Sequence, residues 1–263
     1  MQRLGQHYMV SRAAIRTIVA ALDITRGDTV IEIGPGKGAI TIPIAKRCNE
    51  VGCRVIAIEK DKRLVSNLQL VISNLNLKSE ILEGDVLKIL SALVLKLEIK
   101  NWKLVGNIPY YITGKLLRIL SALPVKPALA VLTIQREVAE RLIAEPPEMN
   151  LLAAATQVWT KPKILRTLKP NDFSPQPKVT SAIVMLTTNH VPLATREAMG
   201  QYYRLIKALF KQPRKTIWNN LRAGLPHDAE MLGKILRVHG FPMHARPGEL
   251  SLEVLIKLAA SFG

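Results

Sequence analysis

The stretch "VIEIGPGKGAI", Val30 to Ile40, places three glycines directly after a run of apolar and β-branched residues. Such a run predicts a buried strand, and a glycine-rich turn after a strand is typical of α/β domains that bind nucleotides. The glycines Gly34, Gly36 and Gly38 are spaced G-x-G-x-G, whereas dinucleotide-binding enzymes carry G-x-G-x-x-G. We therefore expect a nucleoside site without a pyrophosphate at this turn.

Strand and helix patterns alternate on both sides of the turn. Strands are predicted at 28–34, 54–61, 79–87, 102–110 and 128–135, and helices at 11–22, 39–48, 63–75, 114–123 and 136–144. A late strand pair is predicted at 163–168 and 180–188. This alternation indicates an α/β fold with a doubly wound, mainly parallel sheet, in which ligands bind beyond the carboxyl ends of the strands.

The pattern changes after residue 188. Residues 195–263 show only the helical spacing of apolar side chains. We therefore predict an α/β domain of residues 1–188 and a small helical domain of residues 195–263, joined near 189–194.

The chain is strongly basic, with a formal net charge of +17 over 263 residues. An excess of this size indicates a polyanionic partner, either nucleic acid or an anionic membrane surface. No apolar run reaches the roughly 18 residues that a membrane span needs, and the N-terminus has no signal-peptide core. We therefore expect a cytoplasmic protein that binds nucleic acid and no membrane.

The two cysteines, Cys48 and Cys53, have no histidine or cysteine companions at metal-ligand spacing. We expect no metal site. Buried free thiols in a reducing compartment are the favoured interpretation.

Two acidic residues end the strands that follow the glycine turn. Glu59 lies 25 residues after Gly34 (59 − 34), where a carboxylate can accept from both hydroxyls of an adenosine ribose. Asp85 ends the next predicted strand and could accept from an adenine amino group. S-adenosylmethionine fits these features. For each feature alone, a tight turn with solvated acids is an equal interpretation, but the ordered set favours the cofactor.

The uncharged stretch "GNIPY", 106–110, follows the fourth strand of the domain. An adenine N6 amino group has a lone pair delocalised into the ring, so methylation requires acceptors that take its N–H protons. Asn107 Oδ1 and the carbonyl of Ile108 or Pro109 could accept them, and Tyr110 could stack on a flipped-out base. A fixed cation here would repel a methyl sulfonium. A strand-ending turn capped by asparagine is the alternative, and the stretch alone does not separate the two.

Together these motifs resemble the ribosomal-RNA small-subunit adenine N6,N6-dimethyltransferase family of the bacterial KsgA type. The resemblance covers nearly the whole chain. It rests on "LGQHYM" (4–9), "EIGPGKGAIT" (32–41), "GDVL" (84–87), "GNIPYYIT" (106–113), "FSPQPKVTSAIV" (173–184) and "FKQPRKTIWNNL" (210–221). Tyr8 and Met9 depart from the family's usual Phe and Leu, and 146–157 lacks its usual Tyr-Gly.

The resemblance implies a Rossmann-like, S-adenosylmethionine-dependent methyltransferase domain followed by a helical rRNA-binding domain, acting as a monomer. The implied reaction is dimethylation of two adjacent adenosines near the 3′ end of small-subunit rRNA, within a pre-ribosomal small subunit. The implied cofactor residues are His7, Met9, Gly34, Gly36, Glu59, Asp85 and Asn107. The implied catalytic residues are Asn107, Pro109 and Tyr110 around the target N6, with Phe173 stacked on the other face of the base.

Three cations, Lys211, Arg214 and Lys215, are predicted to begin a helix of the small domain and to face RNA phosphates. An exposed basic face without RNA contacts is the alternative interpretation. Two further functions stay open at this point. They are a large-subunit adenine methylase of the macrolide-resistance type, and a non-catalytic assembly or transcription factor on the same fold.

Overall fold

The structure is a computed structural model that describes residues 7–96, 101–189, 195–226 and 228–262. Residues 4–6 of the opening motif and most of the predicted junction near 189–194 lie outside the described residues. The chain divides into two compact units. The first comprises Met1–Ala139 and Pro162–Thr188, and the second comprises Glu140–Lys161 and Asn189–Gly263.

Strands and helices alternate through the first part of the chain, as the sequence predicts. The elements up to the fifth large strand are β1 (Tyr8–Met9), α1 (Arg12–Ala21), β2 (Thr29–Ile33), α2 (Thr41–Val51), β3 (Arg54–Glu59), α3 (Lys62–Asn74), β4 (Glu80–Glu83), α4 (Val86–Lys96), β5 (Trp102–Asn107), α5 (Thr113–Ala122) and β6 (Leu129–Gln135). The later elements are α6 (Arg136–Leu142), α7 (Leu151–Gln157), β7 (Thr160–Leu168), β8 (Phe173–Ser174) and β9 (Ser181–Thr188).

The central sheet has the strand order β4-β3-β2-β5-β6-β9-β7. Strand β2 pairs in parallel with β3 and β5, β5 pairs in parallel with β6, and β9 runs antiparallel to β6. Strands β2 and β3 are buried along nearly their whole length, which is why they appear as continuous apolar runs. The predicted mainly parallel sheet with a late strand pair is confirmed, and it brings the carboxyl ends of β2, β3, β5 and β6 to one edge.

Short elements escaped the sequence analysis. Strands β1 and β8 pair only with each other, antiparallel, and each has two residues, too few for a periodic pattern. The predicted strand at 79–87 is too long, because β4 ends at Glu83 and a helix follows. Asp85 starts that helix by accepting the Leu87 N–H at 3.0 Å.

The two cysteines form a disulfide, so the prediction of free thiols is wrong. Cys48 lies in the last turn of α2, and Gly52 ends that helix with a left-handed backbone at φ 79°. The reversal brings the two Cα atoms within 4.6 Å, inside the range that a disulfide bridges. The spacing of five residues does not by itself predict this contact, because the contact forms only through the turn at Gly52.

A buried ion pair joins β5 to the residue before β2. Lys103 Nζ lies 2.8 Å from Asp28 Oδ2, and the ammonium also donates to the Asp23 carbonyl. Asp28 accepts from the backbone and hydroxyl of Thr25 and from the side-chain amide of Asn101. Burial alone raises the pKa of Asp28, but these hydrogen bonds and the Lys103 charge together hold it below its usual value.

The second unit contains helices α8 (Arg196–Leu209), α9 (Ile217–Gly224), α10 (Ala229–Val238) and α11 (Leu252–Ala260), together with α7. Sequence analysis put residues 140–161 in the first domain. In the structure Tyr202 and Tyr203 of α8 donate from their hydroxyls to the Ala154 and Ala155 carbonyls of α7, at 2.9 and 3.1 Å. In the part of the chain that the structure describes, we find no helix long and apolar enough to cross a bilayer.

Candidate active site

The glycine turn after β2 is held by the carboxylate that ends β3. Gly34 and Gly36 have φ values of 64° and 56°, which favour glycine because a Cβ strains this conformation. The Gly36 N–H donates to Glu59 Oε2 at 3.1 Å, and the N–H groups of Lys60 and Asp61 donate to Oε1 at 2.8 and 3.0 Å. A carboxylate oxygen accepts about two hydrogen bonds. Glu59 therefore keeps one acceptor position, on Oε2, for a ligand.

Tyr8 covers the glycine turn, a contact that sequence analysis did not identify. A Cβ placed on Gly36 would lie 2.8 Å from the Tyr8 ring, so only glycine permits this approach. The Lys37 ammonium lies 5.1 Å from the centroid of the same ring, within cation–π range. The signal that could have identified Tyr8 is its departure from the family's usual residue at this place in the opening motif.

A cavity of about 200 Å³ opens beside the turn at the carboxyl edge of the sheet. It is lined by Tyr8, Met9, Val10, Glu32, Gly34, Pro35, Lys37, Ala39, Ile40, Asn107 and Ser174. The structure thus brings together the predicted residues Met9, Gly34 and Asn107, which come from three distant parts of the sequence.

Glu32 is the acidic residue of this cavity. Its pKa is raised to about 8: burial is the main cause, the hydrogen bond with Thr41 opposes the rise, and the nearby Glu59 charge adds to it. Among the described residues, Glu32 Oε2 has no hydrogen-bond partner. Glu32 therefore carries a proton over much of the neutral range and keeps an unused polar atom beside the cavity.

Asp85 lies next to a cation at the exposed side of this edge. Its Oδ2 is 3.1 Å from Lys60 Nζ. Burial alone raises the pKa of Asp85, but Lys60 and the Leu87 N–H lower it below its usual value. Asp85 is therefore ionised at neutral pH, and an adenine amino group would compete with Lys60 for it.

The side-chain amide of Asn107 has a defined orientation. Its Nδ2 donates to the His7 carbonyl at 2.6 Å, and a carbonyl can only accept, so the nitrogen must face His7. The Asn107 Oδ1 consequently faces away from His7. The His7 ring in turn contacts the Pro175 carbonyl through Nδ1 at 2.8 Å, which makes Nδ1 the protonated nitrogen.

The turn after Asn107 separates the two candidate carbonyls. Pro109 O accepts the Ile112 N–H at 3.0 Å, closing a short 3-10 helix over Tyr110–Ile112. The Pro109 carbonyl is thus committed to the Ile112 N–H, which favours the Ile108 carbonyl as the second N6 acceptor. Tyr110 lies beside the His7 ring, with centroids 6.3 Å apart and planes at 25°.

Phe173 is not exposed at this site. It is 2% exposed and packs in the apolar core together with Met9 and Ile18. Strand β1 pairs with β8 and brings Met9 opposite Phe173, so the ring is drawn into the core, where its large apolar area leaves water. Its stacking role stays a prediction that requires the side chain to leave this position.

The three predicted RNA-contacting cations are exposed, but they do not begin a helix. Lys211, Arg214 and Lys215 lie in the turn before α9, which begins at Ile217. Buried Asn220 holds this turn: its Oδ1 accepts the Gln212 N–H at 3.0 Å. Its Nδ2 donates to the Gln212 and Lys215 carbonyls at 2.9 and 3.2 Å. The helical spacing of the sequence continues into this turn, but the backbone there is held by side-chain hydrogen bonds from Asn220 and not by helical ones. The spacing alone does not reveal this.

The carboxyl edge of this mainly parallel sheet carries the cavity at the glycine turn, an acid at the end of β3, and Asn-Ile-Pro-Tyr at the end of β5. Together these features define a Rossmann-like methyltransferase. The match to the family described as "Ribosomal RNA adenine dimethylase" extends over residues 1–240. The chain belongs to this family.

Relatives of known name support the same membership. A ribosomal RNA small subunit methyltransferase A of Acidobacterium capsulatum is 38% identical over 259 residues, covering 97% of this chain and 89% of that protein. One from Dehalococcoides mccartyi strain 195 is 34% identical over 250 residues, covering 95% and 84%.

Two solved structures share the fold over nearly the whole chain. A dimethyladenosine transferase from Plasmodium falciparum has a TM-score of 0.83 at 23% identity, covering 97% of both chains. The 23S rRNA methyltransferase ErmE has a TM-score of 0.74 at 22% identity, covering 97% of this chain and 98% of that one. At these identities the two structures establish the Rossmann-like fold with its helical addition.

Proposed function

We propose that this chain transfers methyl groups from S-adenosylmethionine to the N6 atoms of two adjacent adenosines near the 3′ end of small-subunit rRNA. The observation that carries the proposal is the orientation of Asn107. Its Nδ2 is held by the His7 carbonyl at 2.6 Å, and the cavity at the glycine turn adjoins it. An acceptor oxygen is therefore fixed beside the cofactor cavity, where a methylated amino group has to lie.

The residues around the cavity fit S-adenosylmethionine. Glu32 Oε2 has no partner among the described residues, and a ligand ammonium or hydroxyl would satisfy it. His7 and Met9 would hold the methionine end of the cofactor and Gly34 and Gly36 its middle. Glu59 would accept a ribose hydroxyl on Oε2, and Asp85 would accept from the adenine amine.

When bound, S-adenosylmethionine would supply a methyl group on a sulfonium. An N6–carbon bond would form as the carbon–sulfur bond breaks with its electron pair on sulfur, and one N6 proton would go to water. Asn107 Oδ1 and the Ile108 carbonyl hold the N6 protons, which turns the nitrogen lone pair out of the base plane. Tyr110 supports the base by stacking. No strong base is needed, because the proton becomes acidic only once the new bond is forming.

The first rival function differs from the proposed one in its substrate, and the second has no catalytic step. The large-subunit rival is supported by the fold likeness to ErmE, whereas the relatives above 30% identity carry the small-subunit name. The non-catalytic rival does not account for an Asn107 whose acceptor oxygen is fixed beside a cofactor cavity. We therefore retain the small-subunit substrate.

The test of this proposal compares two substrates. The chain should convert adenosine to N6,N6-dimethyladenosine in unmethylated small-subunit particles, as read by mass spectrometry of the nucleosides. Naked large-subunit RNA should stay unmodified. Product on large-subunit RNA alone would establish the rival substrate, and no product on either would leave only a binding role.

The proposed partner is small-subunit rRNA within a pre-ribosomal particle, bound by a monomer in the cytoplasm. The disulfide weighs against a reducing compartment, since disulfides are rare in the cytosol outside hyperthermophiles. We retain the cytoplasm because the substrate particle is assembled there.

Replacing Glu59 should lower the affinity for the cofactor while the protein stays folded. In Glu59→Gln the amide keeps an acceptor oxygen for part of the backbone network but loses the charge that strengthens a ribose hydrogen bond. Charge-assisted bonds contribute about 1.5–3 kcal/mol, so we expect the S-adenosylmethionine Kd to rise roughly 10- to 150-fold in calorimetry. Unchanged affinity in the folded variant would exclude the ribose contact.

The basic turn of the helical unit should contribute phosphate contacts. Replacing Lys211, Arg214 and Lys215 with Gln should lower the log–log salt slope of RNA binding by about two to three, at roughly 0.7–0.9 per contact. The matched control removes the same charge from Lys46, Lys78 and Lys96, which are exposed on α2, before β4 and at the end of α4. Equal slopes for the two triple variants would mean that the RNA lies elsewhere.

A further inference from the structure

The hydroxyl of Tyr110 is tied to a residue with no assigned role. Tyr110 OH lies 2.7 Å from Ser181 Oγ. Ser181 is the first residue of β9 and is 0% exposed. A buried serine at a strand end could equally well donate to the backbone, so its hydrogen bond to a side chain of the 3-10 helix after β5 calls for a reason.

The surroundings of both residues are rigid. The backbone of Tyr110 is fixed because Pro109 O accepts the Ile112 N–H at 3.0 Å and Tyr110 O accepts the Thr113 N–H. Ser181 is fixed by its pairing with Gln135 in the sheet. The remaining freedom of Tyr110 lies in its side chain, and the bond to Ser181 restrains the direction in which the ring points by holding its hydroxyl end.

We propose that Ser181 is a positioning residue that anchors the hydroxyl end of the Tyr110 ring and thereby sets whether the reaction continues to the second methyl. This inference rests on the proposed function. It goes beyond that function because it assigns the control of product distribution to a buried residue that touches neither cofactor nor base.

The second transfer depends on ring position more than the first. An unmodified adenine offers two N6 protons to Asn107 and the Ile108 carbonyl, so two acceptors hold the amino group. After the first transfer one proton remains, and one acceptor bond is lost. The stacked ring then has to keep the base in place while the methylamino group rotates about the C6–N6 bond. A ring released from Ser181 can tilt with the base, so the monomethylated base leaves before it reacts again.

The experiment combines Ser181→Ala, Tyr110→Phe and their double variant. Both single variants delete the same hydrogen bond and keep an aromatic ring at residue 110. A hydrogen bond of this kind contributes about 0.5–1.5 kcal/mol, so we expect the ratio of monomethyl to dimethyl product to rise about two- to tenfold in each. The double variant should match the singles, because the bond can be lost only once. The RNA affinity of Ser181→Ala should match that of the wild type.

The readout is single-turnover methylation of small-subunit particles with mass spectrometry of the nucleosides. The matched control is Thr188→Val, at the other end of β9, which removes the hydroxyl bond to the Pro127 carbonyl. If Ser181 has only a structural role, Ser181→Ala should lower the melting temperature as Thr188→Val does and leave the product ratio unchanged. That result would overturn the inference. If the wild-type protein formed no dimethyladenosine on these particles, the proposed function itself would be overturned.

Discussion

A Lys103→Met variant is expected to lose about 3–5 kcal/mol of unfolding free energy in urea at pH 7. The reason is the charge that stays behind. Asp28 is 1% exposed, and its closest cation, Lys103 Nζ, lies 2.8 Å away. Once the ammonium is gone, a buried carboxylate lacks its counter-charge, whereas the unfolded chain can hydrate it. The surviving bonds from Thr25 and Asn101 shift the expected loss toward the lower end of the range.

The control for this prediction is an ion pair of similar geometry on the surface. Arg54 and Glu80 join neighbouring strands at 2.7 Å, with about half of each side chain exposed. Arg54→Met should cost less than about 1 kcal/mol, since water screens the pair. Equal losses for Lys103→Met and Arg54→Met would mean that the Asp28 pair is hydrated in solution.

The same pair predicts how stability depends on pH. The folded pKa of Asp28 is lowered from its usual 3.8, so its contribution is fully present above that value and is lost as pH falls through the folded pKa. In Lys103→Met the lowering charge is absent and burial raises the pKa. Protonation of Asp28 on acidification then relieves the unpaired buried charge in the variant, whereas it removes a stabilising charge pair in the wild type. The difference in unfolding free energy between the wild type and Lys103→Met should therefore be largest near neutral pH and shrink as pH falls, as urea unfolding at a series of pH values would reveal.

Much of this fold was predictable because its signals are local. The glycine turn after Val30–Ile33, the acid at Glu59 and the uncharged exit at Asn107 each lie at the end of an apolar run. Parallel strands place such ends at one edge, so strand prediction alone brought the proposed cofactor residues near one another. The helices after residue 195 were likewise predictable from their period, whereas the assignment of residues 140–161 to the second unit was not.

The remaining features depend on contacts between distant residues. Asp28 and Lys103 are 75 residues apart (103 − 28), and although both lie in predicted strands, neither strand pattern indicates that the two charged side chains pair. The pairing of Met9 with Phe173 joins two strands of two residues each, and this pairing places the Phe173 ring in the core. The commitment of Glu59 to three backbone N–H groups depends on how two turns fold around it.

Replacing Asn107 should have the largest effect on catalysis. In Asn107→Ala the single-turnover methylation rate at saturating cofactor should fall about 100- to 1000-fold, the cost of removing one preorganised hydrogen-bonding group from a transition state. RNA affinity should stay near that of the wild type, because the bond from N6 to Oδ1 strengthens only as the nitrogen becomes pyramidal. The strand is fixed at its other end by Lys103, so the variant should fold.

Asn107 has a second contact, and the design has to separate the two. Its Nδ2 holds the His7 carbonyl at 2.6 Å, so Asn107→Ala also releases a proposed cofactor residue. Loss of that contact appears as a higher S-adenosylmethionine Kd, whereas loss of the N6 acceptor appears in the rate at saturating cofactor. Asn101→Ala is the matched control, since Asn101 directly precedes the same strand and its amide bonds to Asp28. Asn101→Ala should methylate at the wild-type rate. Near-normal dimethyladenosine formation by Asn107→Ala, with only a weaker cofactor, would reduce Asn-Ile-Pro-Tyr to a strand-ending turn that positions His7.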